Sequence, residues 1–407
     1  MSRQRKMVKR SGVVITLATR EASLKRRLRY HLKTLGFTKN EEGLLAPPGE
    51  TKAVIRAIHG AQRSDRLAQS QRFITERFPS LVKHFASGSD IDPARISPVL
   101  ERVYSDTDEG DLFRLASLTW SVPVSQGFGR RLRYLVWDEH NEKLIGIIAI
   151  GDPVFNLSAR DNLIGWNVAD RGERLVNVMD AYVLGAVPPY NALLGGKLVA
   201  SLVRTRDMYD DFSKAYGGTT GIISEKEKRA RLLAVTTSSS MGRSSVYNRL
   251  KLGGVEYFEP IGYTGGWGHF HIPDSLFFDL RSYLRSKGHT YADTHKFGEG
   301  PNWKLRTTRA ALVALGFKDD LLRHGIKREV FLSTLASNAT RILKTGKGRP
   351  NLKSLLSAKE VSQLAVDRWM TPRAERMPDF KLWRARNIAD LFGDQGKKLL
   401  ALLARTG

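Results

Sequence analysis

The feature that most constrains this chain is a succession of β-rich runs in its middle, residues 131–138, 144–150 and 174–187, joined by turn-forming Asp, Asn and Gly. A helix over 191–216, a further run at 231–237, a helix over 244–252 and strands near 255–261 and 266–272 follow. Strands laid down first as hairpins and then alternating with helices predict an α/β (α+β) fold, a central mixed sheet with helices packed on it. Before that block, Leu24, Leu28, Leu32 and Leu35 form one stripe of a helix over 20–35 that Gly36 ends. A second helix is expected over 52–78 with a break near Gly60, and Pro93 and Pro98 punctuate a loop leading to the acidic stretch 106–111. The last hundred residues read as helical over 303–315, 328–344 and 359–369, with a basic linker at 344–350. Three consecutive domains result: a basic N-terminal helical region (1–115), a central α/β domain (116–290) and a basic C-terminal helical region (291–407).

The chain has 407 residues, 66 Lys+Arg against 41 Asp+Glu, and a formal net charge of +25. With 41% hydrophobic residues it can bury a large core, which excludes wholesale disorder. Apolar runs fall far short of the ~18 residues that span a bilayer, so no membrane role and a cytoplasmic location are expected. The absence of cysteine removes disulfides, thiolate nucleophiles and Cys-based zinc sites. The charge is polarised. Residues 1–33 hold 11 basic side chains against one acidic, and residues 301–407 hold 22 against 9, which leaves the middle nearly neutral. Basic flanks release counterions from a phosphate backbone and so favour DNA as partner. Arg26, Arg27, Arg29 and Lys33 at one end, with Lys304, Arg306 and Arg309 at the other, are the candidate nucleic-acid contacts.

Four clusters could carry chemistry. The run from Asp180 to Lys197 takes a strand through Pro188-Pro189-Tyr190-Asn191 into a helix, and a helix N-terminus offers free N–H groups to a phosphate or pyrophosphate. The alternative is that Gly195 and Gly196 only permit close packing on the sheet. The run 238–250 places Tyr247, Asn248 and Arg249 on a short helix capped by Ser244 or Ser245, where a phenol can serve as general acid and an amide can orient a substrate. In the run 262–271, His269 and His271 share one face of a strand and could chelate a divalent metal, with Asp161, Asp180, Glu256 and His295 as conceivable further ligands; a simple strand-edge pair is the alternative. Finally, 152–166 offers Asn156, Arg160 and Asp161 for hydrogen bonding or acid–base work, or else a loop bonded to its own backbone.

The runs GFGRRLRYLV, GDPVFNLSARDNLIGW, VMDAYVLGAVPPYNALLGGKLVASLV, GRSSVYNRL, PIGYTGGWGHFHIP, GPNWKLR and LLRHGIKREVF resemble the DruA family, named for a component of the Druantia anti-phage defence systems. The resemblance covers nearly the whole chain. It implies a role in defence or mobile DNA, with other defence-system proteins such as a helicase as partners. At the level of fold, the order of elements also resembles the acetyltransferase superfamily that contains a phage DNA-adenine modification enzyme. That likeness implies acyl-coenzyme A, its pyrophosphate held at 187–192, although the usual glycine-rich loop is here Pro188-Pro189-Tyr190-Asn191.

The expectation is a DNA-acting protein that binds through its basic ends and modifies a base or recognises DNA in its centre. Asp161, Tyr190, Asn191, Tyr247 and Asn248 are the candidate catalytic residues. Two alternatives stand beside it: a metal-dependent single-strand endonuclease or transposase, with Tyr283 or Tyr291 as nucleophile and the histidine pair on the metal, and a non-catalytic DNA-binding adaptor.

Overall fold

Seven strands of a computed structural model form one mixed sheet, numbered here in chain order: β1 (Pro98–Val103), β2 (Arg131–Asp138), β3 (Lys143–Gly151), β4 (Val178–Ala186), β5 (Ala234–Ser238), β6 (Glu259–Tyr263) and β7 (Glu329–Thr334). The structure describes residues 7–10, 13–16, 19–125, 127–220, 227–293 and 301–406. Across the sheet the order is β6-β7-β5-β4-β3-β2-β1, and every neighbouring pair is antiparallel except β4 with β5. The mixed sheet with packed helices is thus as expected. Pro98 stands at the first position of the edge strand, where no ladder donor is needed.

Alternate residues of the strands feed two cores. Leu132, Tyr134, Val136, Met179, Val235 and Phe331 pack with Leu198, Met208, Phe212 and Val361 from helices Gly195–Ser201, Arg206–Tyr216 and Ala358–Ala365. On the other face, Leu135, Ile147, Ala149 and Val183 meet Ile74 and Phe78 of helix Gln71–Leu81 and Leu112 and Leu115 of helix Asp108–Leu118. The acidic stretch near 106–111 is the N-terminus of that last helix. Thr107 accepts from the Gly110 amide at 3.1 Å, and Asp108, Glu109 and Asp111 complement the dipole.

This sheet and its helices make one compact unit, Arg66–Thr264 with Lys327–Gly407; a second unit is Met1–Asp65 with Gly265–Ile326. Both units are therefore discontinuous in sequence, where three consecutive segments were expected. The second unit is mainly helical, with two short antiparallel hairpins, Met7–Arg10 with Val13–Thr16 and Thr38–Lys39 with Leu45–Ala46. Its core joins Leu24, Leu28 and Leu32 of helix Arg20–Thr34 to Leu276, Leu280 and Leu284 of helix Asp274–Ser286 and to Trp303, Leu312 and Leu315 of the segment carrying helix Pro301–Ala314. Among the described residues, no helix is long and apolar enough to cross a membrane.

Several expected elements fall differently. Helix Lys52–Gln69 continues through Gly60 and is interrupted at Ser70 instead. The expected helix over 328–344 is strand β7 followed by helix Ala339–Thr345. The expected helix over 191–216 is broken between Ser201 and Arg206, and the strand expected at 174–187 begins only at Val178, after helix Val168–Arg174.

Candidate functional site: the parting of the parallel strands

Strands β4 and β5 pair only through Val178–Asp180 and Ala234–Thr236. Beyond that point β4 runs on to Ala186 beside β3, whereas β5 ends at Ser238. The β3–β4 register also slips there, from Ile150↔Ala181 to Ala149↔Val183, so that β4 carries a bulge at Tyr182. Bulges re-aim side chains and gather beside functional sites.

Asp180 sits where the strands part. Its carboxylate accepts a hydrogen bond from the Thr236 hydroxyl at 2.8 Å. Burial pushes its acid up to about 6, against the opposing pull of Thr236 and the Arg160 charge. On the next strand position, the Thr237 hydroxyl donates to the Ala181 carbonyl at 2.8 Å. The Tyr247 phenol lies against Thr237 and in the field of Asp180, and burial pushes it up to about 12. Its ring is wedged 5.2 Å from both Phe258 and Phe331. A carboxyl raised toward neutrality but ionised above it, one hydroxyl bonded to it and a neutral phenol nearby form a proton-transfer set at a strand parting.

Asp161 reaches this set only through its neighbour. Its two oxygens accept from Arg160 Nε (2.8 Å), Arg160 Nη2 (2.7 Å), Arg171 Nη1 (2.8 Å) and the Leu157 amide (3.2 Å), which fills a carboxylate's capacity. Arg160 is fully buried and also donates to the Val154 and Phe155 carbonyls. Asp161 thus anchors its own loop and has no lone pair left for a substrate.

Tyr190 and Asn191 are placed elsewhere. The Tyr190 hydroxyl donates to Asp138 Oδ2 at 2.7 Å and receives Asn141 Nδ2 at 2.9 Å, closing the β2–β3 turn, while Asn191 is exposed. That turn lies at the Ala186 end of β4, about 20 Å along the strand from Asp180. The 187–195 loop also spends its amides on itself. Asn191 N donates to the Val187 carbonyl, Ala192 N to Pro189, and Leu193 N and Gly195 N to Tyr190. A Cβ on Gly195 would come within 2.7 Å of the Tyr190 carbonyl, so this glycine serves close packing. Those amides cannot cradle a pyrophosphate, and the loop does not fit the acyl-coenzyme A role that the fold resemblance implied.

Asn248 donates to the Glu329 carboxylate at 2.9 Å and to the Ser244 carbonyl at 2.7 Å. The expected cap is present, since Ser244 Oγ accepts from the Val246 and Tyr247 amides, both at 3.1 Å. The expected helix is not. Residues 245–249 are turns, and Arg249 takes a left-handed φ of 61° before a short strand, Lys251–Leu252.

The histidine pair belongs to the helical unit, and the strand expected over 266–272 is a chain of turns. Gly266 and Gly268 break it with φ of +68° and +156°, and a Cβ on Gly266 would meet the Gly325 backbone at 3.1 Å. The loop is therefore packed backbone to backbone against the segment that carries Gly325. His271 is buried, its Nε2–H donates to the Leu321 carbonyl at 2.9 Å, and its own carbonyl receives His31 Nε2 at 2.8 Å. Burial first, then neighbouring cations, lower His269 to about 4; burial lowers His271 to about 4 as well. No three His, Asp or Glu side chains converge on a cation site among the described residues, and His295 lies outside them. Tyr283 is buried with its hydroxyl tied to Glu21 and the Ala314 carbonyl.

The candidate phosphate-binding cations gather in this same unit. Arg26, Arg27, Arg29, Lys33, Arg306 and Arg309 are exposed, whereas Lys304 is half-buried, paired with Asp274 and lying 5.0 Å from the Phe277 ring centroid. Asp180 was legible in the sequence as a lone acid inside an apolar run; Thr236 and Glu329 carried no signal that set them apart.

Fold and site together define a two-unit α/β protein, with a seven-stranded mixed sheet, a protonatable acid where its parallel pair parts, and a separate basic helical unit. The chain belongs to the DruA family: the family described as Druantia protein DruA matches residues 49–345. It is 64% identical to the Druantia protein DruA of Escherichia coli (strain UMEA 4076-1) over 392 residues, 96% of this chain and 97% of that protein. No solved structure matches it.

Proposed function

We propose that this protein acts on DNA as a component of an anti-phage defence system, gripping the polyanion through its helical unit. The observation that carries the reading is where the charge lies. The helical unit holds 24 basic residues against 11 acidic in 127 residues, an excess of 13, whereas the 280 residues of the sheet unit have 42 against 30, an excess of 12. Two segments far apart in sequence, 20–33 and 301–315, contribute to one small core with their arginines outside. Such a surface binds phosphate through counterion release. Retention of the purified protein on DNA should weaken steeply with added salt, and neutralising Arg306 and Arg309 together should reduce the slope on duplex by up to about 2. Salt-insensitive binding, or none, would overturn the proposal.

A second reading, favoured by Asp180, is that the sheet unit carries acid–base chemistry on what is bound. The hairpin strands leading into β4 and its pairing with β5 agree with the order of elements on which the acetyltransferase resemblance rests, without the coenzyme cradle. Asp180→Asn should then abolish protection against phage while leaving DNA retention intact; full protection by the variant would remove the catalytic reading.

A further inference from the structure

Helix Arg20–Thr34 turns Leu24, Leu28 and Leu32 inward and is thereby fixed in place. Its outer face presents Tyr30, which at 73% exposure is among the most open large side chains of the protein. A single exposed ring is ordinary, but the surroundings of this one are not. Arg26 and Lys33 lie one turn to either side on the same face, at i−4 and i+3, both exposed and in no ion pair among the described residues. The cations that flank this strip are already engaged: Arg27 with Asp279, Lys25 with Glu21 at 2.9 Å, and Arg29 5.4 Å from the Phe317 ring centroid. What remains open is one aromatic face bracketed by two uncommitted positive charges about 10 Å apart along a rigid helix.

We infer that Tyr30 stacks on an unpaired base while Arg26 and Lys33 hold the flanking phosphates, so that the preferred ligand is single-stranded nucleic acid. A duplex hides its base faces within the stack and would use the two charges alone, whereas an unpaired nucleotide uses all three groups. This inference rests on the polyanion-binding reading above and narrows it.

The test compares the full chain and its variants by fluorescence anisotropy on labelled oligothymidylate and on a duplex of the same length. Tyr30→Ala should weaken oligothymidylate binding by roughly five- to 150-fold with an unchanged salt slope, leave duplex binding within about twofold, and be rescued by Tyr30→Trp. The double variant Arg26→Ala/Lys33→Ala should instead lower the salt slope on oligothymidylate by about 1.4. Equal binding of oligothymidylate by Tyr30→Ala and the wild type, or a wild-type preference for duplex, overturns the stacking inference and leaves the polyanion reading standing. Failure of the wild type to bind either ligand in a salt-sensitive way overturns both.

Discussion

The Thr236 hydroxyl donates to the Asp180 carboxylate at 2.8 Å across the last register of the parallel β4–β5 pair. The bond holds an acid at the seam where the two strands separate, in surroundings that raise its pKa to about 6 from an ordinary 3.8. A raised carboxyl is bound more tightly to its proton in the folded state than in the unfolded one, so folding loses stability as pH rises from about 4 to 6 and carries the full cost above that. Asp180→Asn keeps an acceptor for Thr236 and removes the buried charge. The variant should be more stable than the wild type at pH 8, by on the order of 2 kcal/mol, and no more stable at pH 4. Urea midpoints at the two pH values check this, and a variant less stable at pH 8 contradicts it.

The Arg160–Asp161–Arg171 cluster should behave in the opposite way. Arg160 is wholly buried, and Asp161 supplies its only carboxylate ion pair among the described residues. Asp161→Ala leaves that guanidinium uncompensated and should cost about 3–5 kcal/mol. Arg171→Ala, whose side chain is partly exposed, should cost much less. Urea titrations with an unchanged m-value would report both.

His269 and His271 make the helical unit sensitive to acid. Their folded pKa values near 4 lie below the ordinary 6.5. The stability they confer is complete above pH 6.5 and is lost as pH falls from there toward 4. Lys304, His31 and Asp274 surround the pair; Asp274 opposes the depression at His269, and the hydrogen bond to the Leu321 carbonyl opposes it at His271. The imidazole ring resonances of both histidines should therefore show no titration at pH 6 by NMR, and both should titrate only as the unit unfolds. A midpoint near 6.5 in the folded protein would refute the burial argument.

Tyr190→Phe tests whether that tyrosine is structural. It removes a donor from the buried Asp138 carboxylate, which retains the Ser97 amide at 2.9 Å. The expected cost is about 1–3 kcal/mol in thermal or urea unfolding, with no change in DNA retention. A loss of DNA retention without a loss of stability would return Tyr190 to the functional site.

Strand β2 was legible residue for residue because Arg131 and Arg133 alternate with Leu132 and Tyr134 at its start and turn-forming residues follow Asp138 at its end. Strand β7 was not, because Val330, Phe331 and Leu332 are all buried and a short apolar run without alternation has no period to separate strand from helix. The turn at 245–249 misled for a related reason. A sound N-cap at Ser244 predicts a helix, but Arg249 turns left-handed, and the Ser244 amide and the Asn248 side chain both donate to the distant Glu329 carboxylate. Tyr190 and Asp161 are polar residues in apolar surroundings, which is the pattern of a site and equally of a satisfied core. Partners 52 and 10 residues away decided between the two.

The helical unit's chain discontinuity bears on how the protein is made. Met1–Asp65 leaves the ribosome before Gly265–Ile326, yet Leu24, Leu28 and Leu32 have their packing partners in that later segment. At roughly 5–20 residues per second, the leucine stripe waits on the order of 10–60 s for those partners. During that interval it is an apolar surface bordered by arginines, open to chaperones, and the translation rate through the intervening segment sets how long it stays so.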